Sequence, residues 1–175
     1  TRRVSKGISL GSMYGMSAAK LADTLGLSLD EAQPLMDKYH SKLPFVKELS
    51  GRVMQAANNR GWIKTFLGRR ARFDLWEPKD WSDKRPPLPM ERAKAEYGEI
   101  RRARIHKALN ALIQGSAADV MKKAMSEIWK AGICDVIGAP HLTVHDELDW
   151  SVDTTNKQHF DAHREALHIM ENCVK

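Results

Sequence analysis

The residues with the most chemical reach fall in three short stretches. In Leu142-Thr143-Val144-His145-Asp146-Glu147-Leu148-Asp149-Trp150, apolar and polar residues alternate on both sides of a His-Asp-Glu triplet. Period-two alternation over so short a run predicts strand rather than helix, and puts the triplet at or beside a hairpin turn. Two adjacent carboxylates repel unless a cation or strong donors lie between them. A divalent ion held by hard oxygens meets that need, and Mg²⁺ commonly takes one or two carboxylates together with substrate phosphates. A solvated acidic hairpin tip is the competing reading, and the triplet alone does not separate the two.

The second stretch opens the chain. Arg2, Lys6, Leu10 and Tyr14 recur at intervals of four, so one helix would stack two cations, an apolar side chain and an aromatic ring along one stripe. Such a stripe suits a phosphate chain at one end and a sugar and base at the other. Gly7 and Gly11 leave room beside it for a ligand or a neighbouring backbone, at a cost in helix propensity. An amphipathic helix with a solvated basic end fits the same spacing. The third stretch, Ala108 to Asp119, carries Asn110 and Gln114 on one helical face. Amides donate and accept, so the pair could read base edges or simply be buried structural groups.

The rest of the chain must position these residues. Its 175 residues fit one domain with a real core, and 42% apolar and 29% charged content is globular rather than disordered. A net charge of +6 suits a polyanionic partner. Cys134 and Cys173 make no disulfide framework, which favours a reducing compartment. No apolar run approaches a membrane span and no signal peptide is visible, so the expectation is a cytoplasmic protein with no membrane partner. The first residue is Thr1 with a helical pattern already under way, as in a chain cut from something longer.

Local signals predict the elements. Ser17 caps a helix through Leu25 that stops at Gly26, and Ser28 with Glu31 forms a capping box for a helix to about Ser41. Pro34 predicts a bend or a later start in that helix. Pro44 opens another helix, ending between Asn58 and Gly61. Trp62–Leu67 and Ala71–Asp74 form a small hairpin around Gly68-Arg69-Arg70, whose arginines could hold a phosphate backbone or stay solvated. Residues 77–90, with Pro78, Pro86, Pro87 and Pro89 around Trp81, read as the least ordered surface loop. From Glu91 the pattern is helical, and Arg92, Lys94, Arg101, Arg102, Arg104 and Lys107 read as a solvated face. A helix from about Ser116 to Lys130 stops at Gly132, and a last one spans about Thr155 to Glu171 with Phe160, Leu167 and Met170 inward.

Taken together, the three stretches carry a resemblance. Arg2-Arg3-Val4-Ser5-Lys6 through Tyr14-Gly15 closely resembles motif B of the family A DNA polymerases, the DNA polymerase I family. Asn110 to Asp119 is similar to the family's template-side segment, and His145-Asp146-Glu147 to its motif C. The likeness extends through Gly68-Arg69-Arg70 to Met170-Glu171-Asn172-Cys173. It implies an α+β fold: mostly helical fingers and palm, a small β-hairpin, and a palm β-hairpin carrying the His-Asp-Glu motif. Residues 1–61 would be fingers helices, 62–90 the small hairpin and Pro-rich loop, and 91–175 the palm portion.

The resemblance also implies roles. Arg2 and Lys6 would hold the phosphates of a dNTP, and Lys6 would protonate the departing pyrophosphate. Leu10 and Tyr14 would complete the nucleotide site. Asp146, with Glu147 beside it, would ligate catalytic Mg²⁺. His145, His106, Asn110 and Gln114 would face the primer-template DNA. Leu10 departs from the Phe or Tyr usual in the family and matches some viral members, which puts sugar discrimination in question and points to a phage-like chain. His106 stands where the family commonly has Arg.

The expected activity is nucleotidyl transfer from dNTP to a primer 3′ end by a two-metal mechanism, which takes carboxylates from separate strands. The family's other metal aspartate lies in its motif A, upstream of motif B, and no Asp-x-x-x-x-Glu strand segment replaces it here. The chain is therefore expected to be a polymerase fragment, inactive alone, whose partners include the missing N-terminal half. The palm hairpin, which in the resembling proteins pairs with a strand of that half, would have an exposed edge and apolar face. Two alternatives remain: a non-catalytic nucleic-acid-binding module, and a His-Asp metal phosphohydrolase, which would want the dyad on a helix with further ligands nearby.

Overall fold

A computed structural model describes residues 2–13 and 16–174, and the chain divides into two units, Thr1–Ile113 and Gln114–Lys175. The first unit begins with α1 (Arg2–Met13), which buries Ile8 and leaves Arg2 and Lys6 exposed. In α2 (Ala18–Leu25) the Ser17 hydroxyl accepts from the Lys20 N–H at 3.3 Å, and Gly26 closes the helix at φ +68°. In α3 (Leu29–Lys42) the expected capping box forms: Ser28 Oγ accepts from the Glu31 N–H, and Glu31 Oε2 accepts from the Ser28 N–H at 2.9 Å. The Ser28 backbone and hydroxyl donors hold the Glu31 carboxyl below the usual glutamate range. The cap is therefore complete above that range and lost as pH falls through the lowered value.

Pro34 does not delay α3. The helix starts at Leu29 with Pro34 inside it, because the capping box already satisfies the first turn and the lost donor affects only a carbonyl at exposed Asp30. The room beside Gly7 and Gly11 is taken by the chain itself. A Cβ at Gly7 would lie 3.3 Å from the Leu25 side chain, and one at Gly11 only 2.7 Å from Met16 Sδ. Ile8, Leu21, Ala22, Ala32 and Met36 form the core joining these helices.

Pro44 occupies the first turn of α4 (Pro44–Arg60), which ends at Gly61 with φ +77°. The expected hairpin follows as β1 (Trp62–Lys64) against β2 (Arg70–Arg72), with Ile63 entering a second core beside Val53, Ala57 and Ala108. Arg70 belongs to the strand rather than the turn.

Residues 75–102 overturn two expectations. The Pro-rich stretch supplies β3 (Leu75–Pro78) and β4 (Leu88–Pro89), and the expected helical run stops after α5 (Met90–Tyr97) to form β5 (Ile100–Arg102). The three strands make an antiparallel sheet in the order β4-β3-β5. The loop within it is tied down: Tyr97 donates to the Pro86 carbonyl at 2.8 Å, and Arg85 pairs with Asp83 and stacks 4.3 Å from the Tyr97 ring. Arg101 and Arg102 are not a solvated face. Arg101 binds Glu77 at 3.0 Å and lies over Trp81, while Arg102 donates to the Asn58 and Phe73 carbonyls at 2.8 and 3.0 Å and covers Trp76. Guanidinium planes match carbonyl, carboxylate and ring partners together, which is why arginines rather than apolar residues close this sheet.

The boundary between the units falls within α6 (Ala108–Lys130), one continuous helix that begins eight residues before the expected start at Ser116. The second unit adds the unexpected short α7 (Ile133–Ile137), the hairpin β6 (Leu142–Val144) and β7 (Glu147–Asp149), and α8 (Lys157–Asn172), capped by Asn156. Its core is Ile128, Ile133, Ile137, Ala162 and Ala166, with Met170 packed against it. Phe160 and Leu167 face solvent, at 48% and 47% exposure, because α8 turns its small Ala162 and Ala166 inward to approach closely. The fold is α+β and mostly helical, as expected. Among the described residues no helix is long and apolar enough to cross a membrane.

Gly61 is held by two constraints at once. Its positive φ penalises any side chain by about 1–2 kcal/mol, and a Cβ would meet the Arg102 guanidinium at 2.9 Å. Gly61→Ala is expected to lower the urea midpoint by an amount worth about 2 kcal/mol; a midpoint like that of the native chain would show that this clamp does not matter.

Candidate functional site

The acidic hairpin owes its geometry to register. Leu142 pairs with Asp149, Thr143 with Leu148 and Val144 with Glu147, leaving His145-Asp146 as a two-residue turn. His145 has φ +53°, the positive value that lets a two-residue turn match strand twist and that non-glycine residues adopt at some cost. Cross-strand partners share a face. Thr143 and Leu148 therefore lie on one side, and Leu142, Val144, Glu147 and Asp149 on the other.

The first side is anchored. Leu148 and Trp150 pack on the Ile128, Ile133, Ile137, Ala162 and Ala166 core, and Trp150 Nε1–H donates to the Gly138 carbonyl at 3.1 Å. The His141 N–H extends the ladder to the Asp149 carbonyl at 2.8 Å. The second side is open, with Leu142 54% and Val144 40% exposed beside exposed Glu147 and Asp149. His145 and Asp146 are exposed at the tip. Among the described residues neither Asp146 nor Glu147 has a side-chain hydrogen bond or ion pair, and no group of three or more His, Cys, Asp or Glu residues could hold a metal. This donor set fits Mg²⁺ completed by substrate oxygens, not a cage built by these residues alone.

Arg2 and Lys6, one helical turn apart on α1, are both exposed in the first unit. Leu10 is on the same helix but its side chain lies outside what is described, and so does Tyr14 altogether. His106 is exposed in the 3₁₀ turn Ile105–Lys107 that precedes α6. Asn110 is half-buried on α6, and its Oδ1 is a buried acceptor with no hydrogen-bond partner among the described residues. Gln114 is exposed, one turn further along that helix. A buried orphan acceptor costs about 1–3 kcal/mol, which calls for a reason beyond packing. The stripe belongs to the first unit and the His-Asp-Glu triplet to the second.

Sequence reasoning missed one feature here. The face of β1–β2 that carries Trp62, Lys64, Arg70 and Arg72 was legible only as loose arginines at a turn. Its signal is the strand alternation of those four residues around Ile63 and Ala71, which a turn-centred reading hides.

The chain is a mostly helical α+β protein with an open acidic hairpin in one unit and a helix exposing Arg2 and Lys6 in the other. The comparisons specify the family: the model for DNA polymerase family A matches residues 1–175, and this chain belongs to that family. DNA polymerase I of Pseudomonas aeruginosa is 36% identical over 152 residues, covering 84% of this chain and 14% of that protein. The DNA-directed DNA polymerase of Pseudomonas phage M6 is 31% identical over 209 residues, covering 99% of this chain and 26% of the phage protein. Among solved structures, the POL domain of Pol1 from M. smegmatis, in complex with DNA primer-template and dNTP, superposes with a TM-score of 0.72 at 30% identity. That match covers 99% of this chain and 28% of the other. The chain thus spans less than a third of the length of each of these relatives.

Trp150 tests the anchoring. Trp150→Ala removes both the packing and the bond to Gly138, and is expected to lower amide-exchange protection in Thr143–Leu148 by at least tenfold while leaving β1–β2 unchanged. Equal loss in both hairpins would mean global destabilisation rather than a released hairpin.

Proposed function

We propose that this chain is the nucleotide-facing and template-facing segment of a template-directed DNA polymerase, acting in nucleotidyl transfer from dNTP to a primer 3′ end. The observation that carries the proposal is the pair of exposed carboxylates, Asp146 and Glu147, without side-chain partners among the described residues, at the tip of an anchored hairpin, in a chain matched along its length by the family A model. The M. smegmatis domain, solved with DNA primer-template and dNTP, supports the same substrate classes.

In this reading residues 1–61 are fingers, 62–90 the small hairpin and adjoining loop, and 91–175 part of the palm. Arg2 and Lys6 bind the triphosphate, and the charge on α1 offsets the negative charge that builds as the phosphorus–oxygen bond to pyrophosphate breaks. Lys6 gives pyrophosphate its proton. Leu10 and Tyr14 complete the nucleotide site. Asn110, whose Oδ1 lacks a partner, and Gln114 meet the minor groove, where acceptors are nearly the same for every base pair and pair shape can be tested without reading sequence. His106 and His145 contact the primer-template.

Asp146 and Glu147 would hold Mg²⁺, which when bound neutralises the reacting phosphates and favours ionisation of the primer hydroxyl. In this reading the two-metal site is completed by substrate oxygens and by a carboxylate from a further polymerase segment, the N-terminal half. The position of His145-Asp146 at a hairpin turn rather than on a helix speaks against a helical phosphohydrolase.

The test supplies an N-terminal polymerase half in trans. The isolated chain is expected to give no primer extension, the mixture to give Mg²⁺-dependent extension, and Asp146→Ala to abolish it while retaining DNA binding. Full extension by the Asp146→Ala mixture would remove Asp146 from the metal site, and DNA binding without extension by any mixture would favour a non-catalytic module.

A further inference from the structure

The second unit reverses the charge of the chain. From Gln114 to Lys175 the sequence has ten aspartates and glutamates against six lysines and arginines, although the whole chain carries +6. Three of those carboxylates border one groove. It runs between α7 and α8 with a volume of about 430 Å³; Gly132, Ile133 and Val136 line one bank, and Asp161, Ala162 and Glu165 the other. Asp135 meets the groove at Gly132, where a Cβ would lie 3.6 Å from Asp135 Oδ2.

The lining changes character with depth. Ile133 and Ala162 are buried at the floor, whereas Val136 is 43% exposed and Asp135, Asp161 and Glu165 are exposed above it. None of the three carboxylates has a side-chain hydrogen bond or ion pair among the described residues. Asp161 and Glu165 stand four residues apart on α8, a spacing at which like charges weaken a helix. The carboxylates are spread along the groove rather than gathered, and among the described residues no group of three or more His, Cys, Asp or Glu could hold a metal ion. Such an arrangement suits cations carried on separate side chains better than one ion that must be enclosed by oxygens.

We infer that the α7–α8 groove docks a basic amphipathic helix of a partner protein. Its apolar side chains lie over Ile133, Val136 and Ala162, and its lysines or arginines meet Asp161, Glu165 and Asp135. Charge complementarity selects this occupant, because the same carboxylates repel nucleic acid and acidic segments. Spacing agrees with it. Asp161 and Glu165 are separated by about 6 Å along α8, at 1.5 Å per residue, and cations four residues apart on a facing helix have the same separation. Both banks are helices whose backbone groups are spent internally, so an extended segment finds no strand edge to pair with, whereas a helix offers side chains to side chains.

The inference does not rest on polymerisation, and its test uses neither DNA nor nucleotide. The probe is a synthetic peptide of about 18 residues, long enough to hold a helix, with leucines on one face and lysines on the other. Its affinity is read by fluorescence anisotropy and its position by amide shifts of the ¹⁵N-labelled chain. The shifts are expected within residues 131–136 and 158–165. Asp161→Asn with Glu165→Gln is expected to weaken binding by about tenfold, and Val136→Ser by about threefold. These positions are exposed, so the spectrum away from the groove reports an intact fold. Unchanged binding by the double variant overturns the site. Amide shifts centred on residues 142–149 do so too, by assigning the peptide to the acidic hairpin. Equal binding by a peptide with the same residues scrambled would reduce the effect to bulk attraction and overturn the helix. Self-association of the chain that is lost in the double variant would give the groove to a second copy, and displacement of the peptide by an N-terminal polymerase half would give it to the polymerase itself; either result overturns the partner.

Discussion

The parity of the β6–β7 hairpin is the constraint on which the acidic site depends. Seating Leu148 and Trp150 on the helical core fixes which face of each strand looks outward. Glu147 and Asp149 are then forced to the open side with Leu142 and Val144, and Asp146 to the turn. A shift of one residue in register would bury carboxylates and expose the anchor. The chemistry is thus set by apolar packing on the reverse face, and no side-chain partner among the described residues is needed to aim the carboxylates.

Arginine serves two opposite purposes in the first unit. Arg101 and Arg102 spend their donors on Glu77 and on the carbonyls of Asn58 and Phe73, so their charge is absorbed into the β4-β3-β5 sheet and its link to α4. Lys64, Arg70 and Arg72 leave their charge outward. The two sets differ in what their strands offer them. β3 supplies Glu77 opposite Arg101 and Trp76 opposite Arg102, whereas β1 supplies Lys64 opposite Arg70. Local basicity alone therefore does not distinguish an absorbed cation from an outward one: Arg102 and Arg72 both lie opposite a tryptophan, and Arg102 differs in donating to the Asn58 and Phe73 carbonyls.

The same distinction explains what could be read from sequence. Ser17, Gly26, Ser28 with Glu31, Pro44 and Gly61 act through their own backbone neighbours, so the helices they bound were legible. The alternation around His145-Asp146-Glu147 was legible because each strand is only three residues long and its turn has two. What was lost depends on partners distant in the chain. β3, β4 and β5 exist through pairings such as Trp76 with Leu88 and Glu77 with Arg101, which no local pattern announces. Phe160 and Leu167 were expected inside because they are large, but Ala162 and Ala166 won the inner face, where close helix approach favours small side chains. The site residues themselves came from their likeness to a family. Periodicity placed them on elements but could not choose between a ligand site and a solvated face.

The opposed cations of β1–β2 give this hairpin an unusual relation to its ionic surroundings. Ordinary surface ion pairs, such as Lys79 with Glu99, weaken as salt rises. Repulsion between Lys64 and Arg70 weakens too, so the empty hairpin gains stability from the same salt. Ionic strength is then a source of firmness for this one ribbon, and the chain carries a small strain that its surroundings relieve.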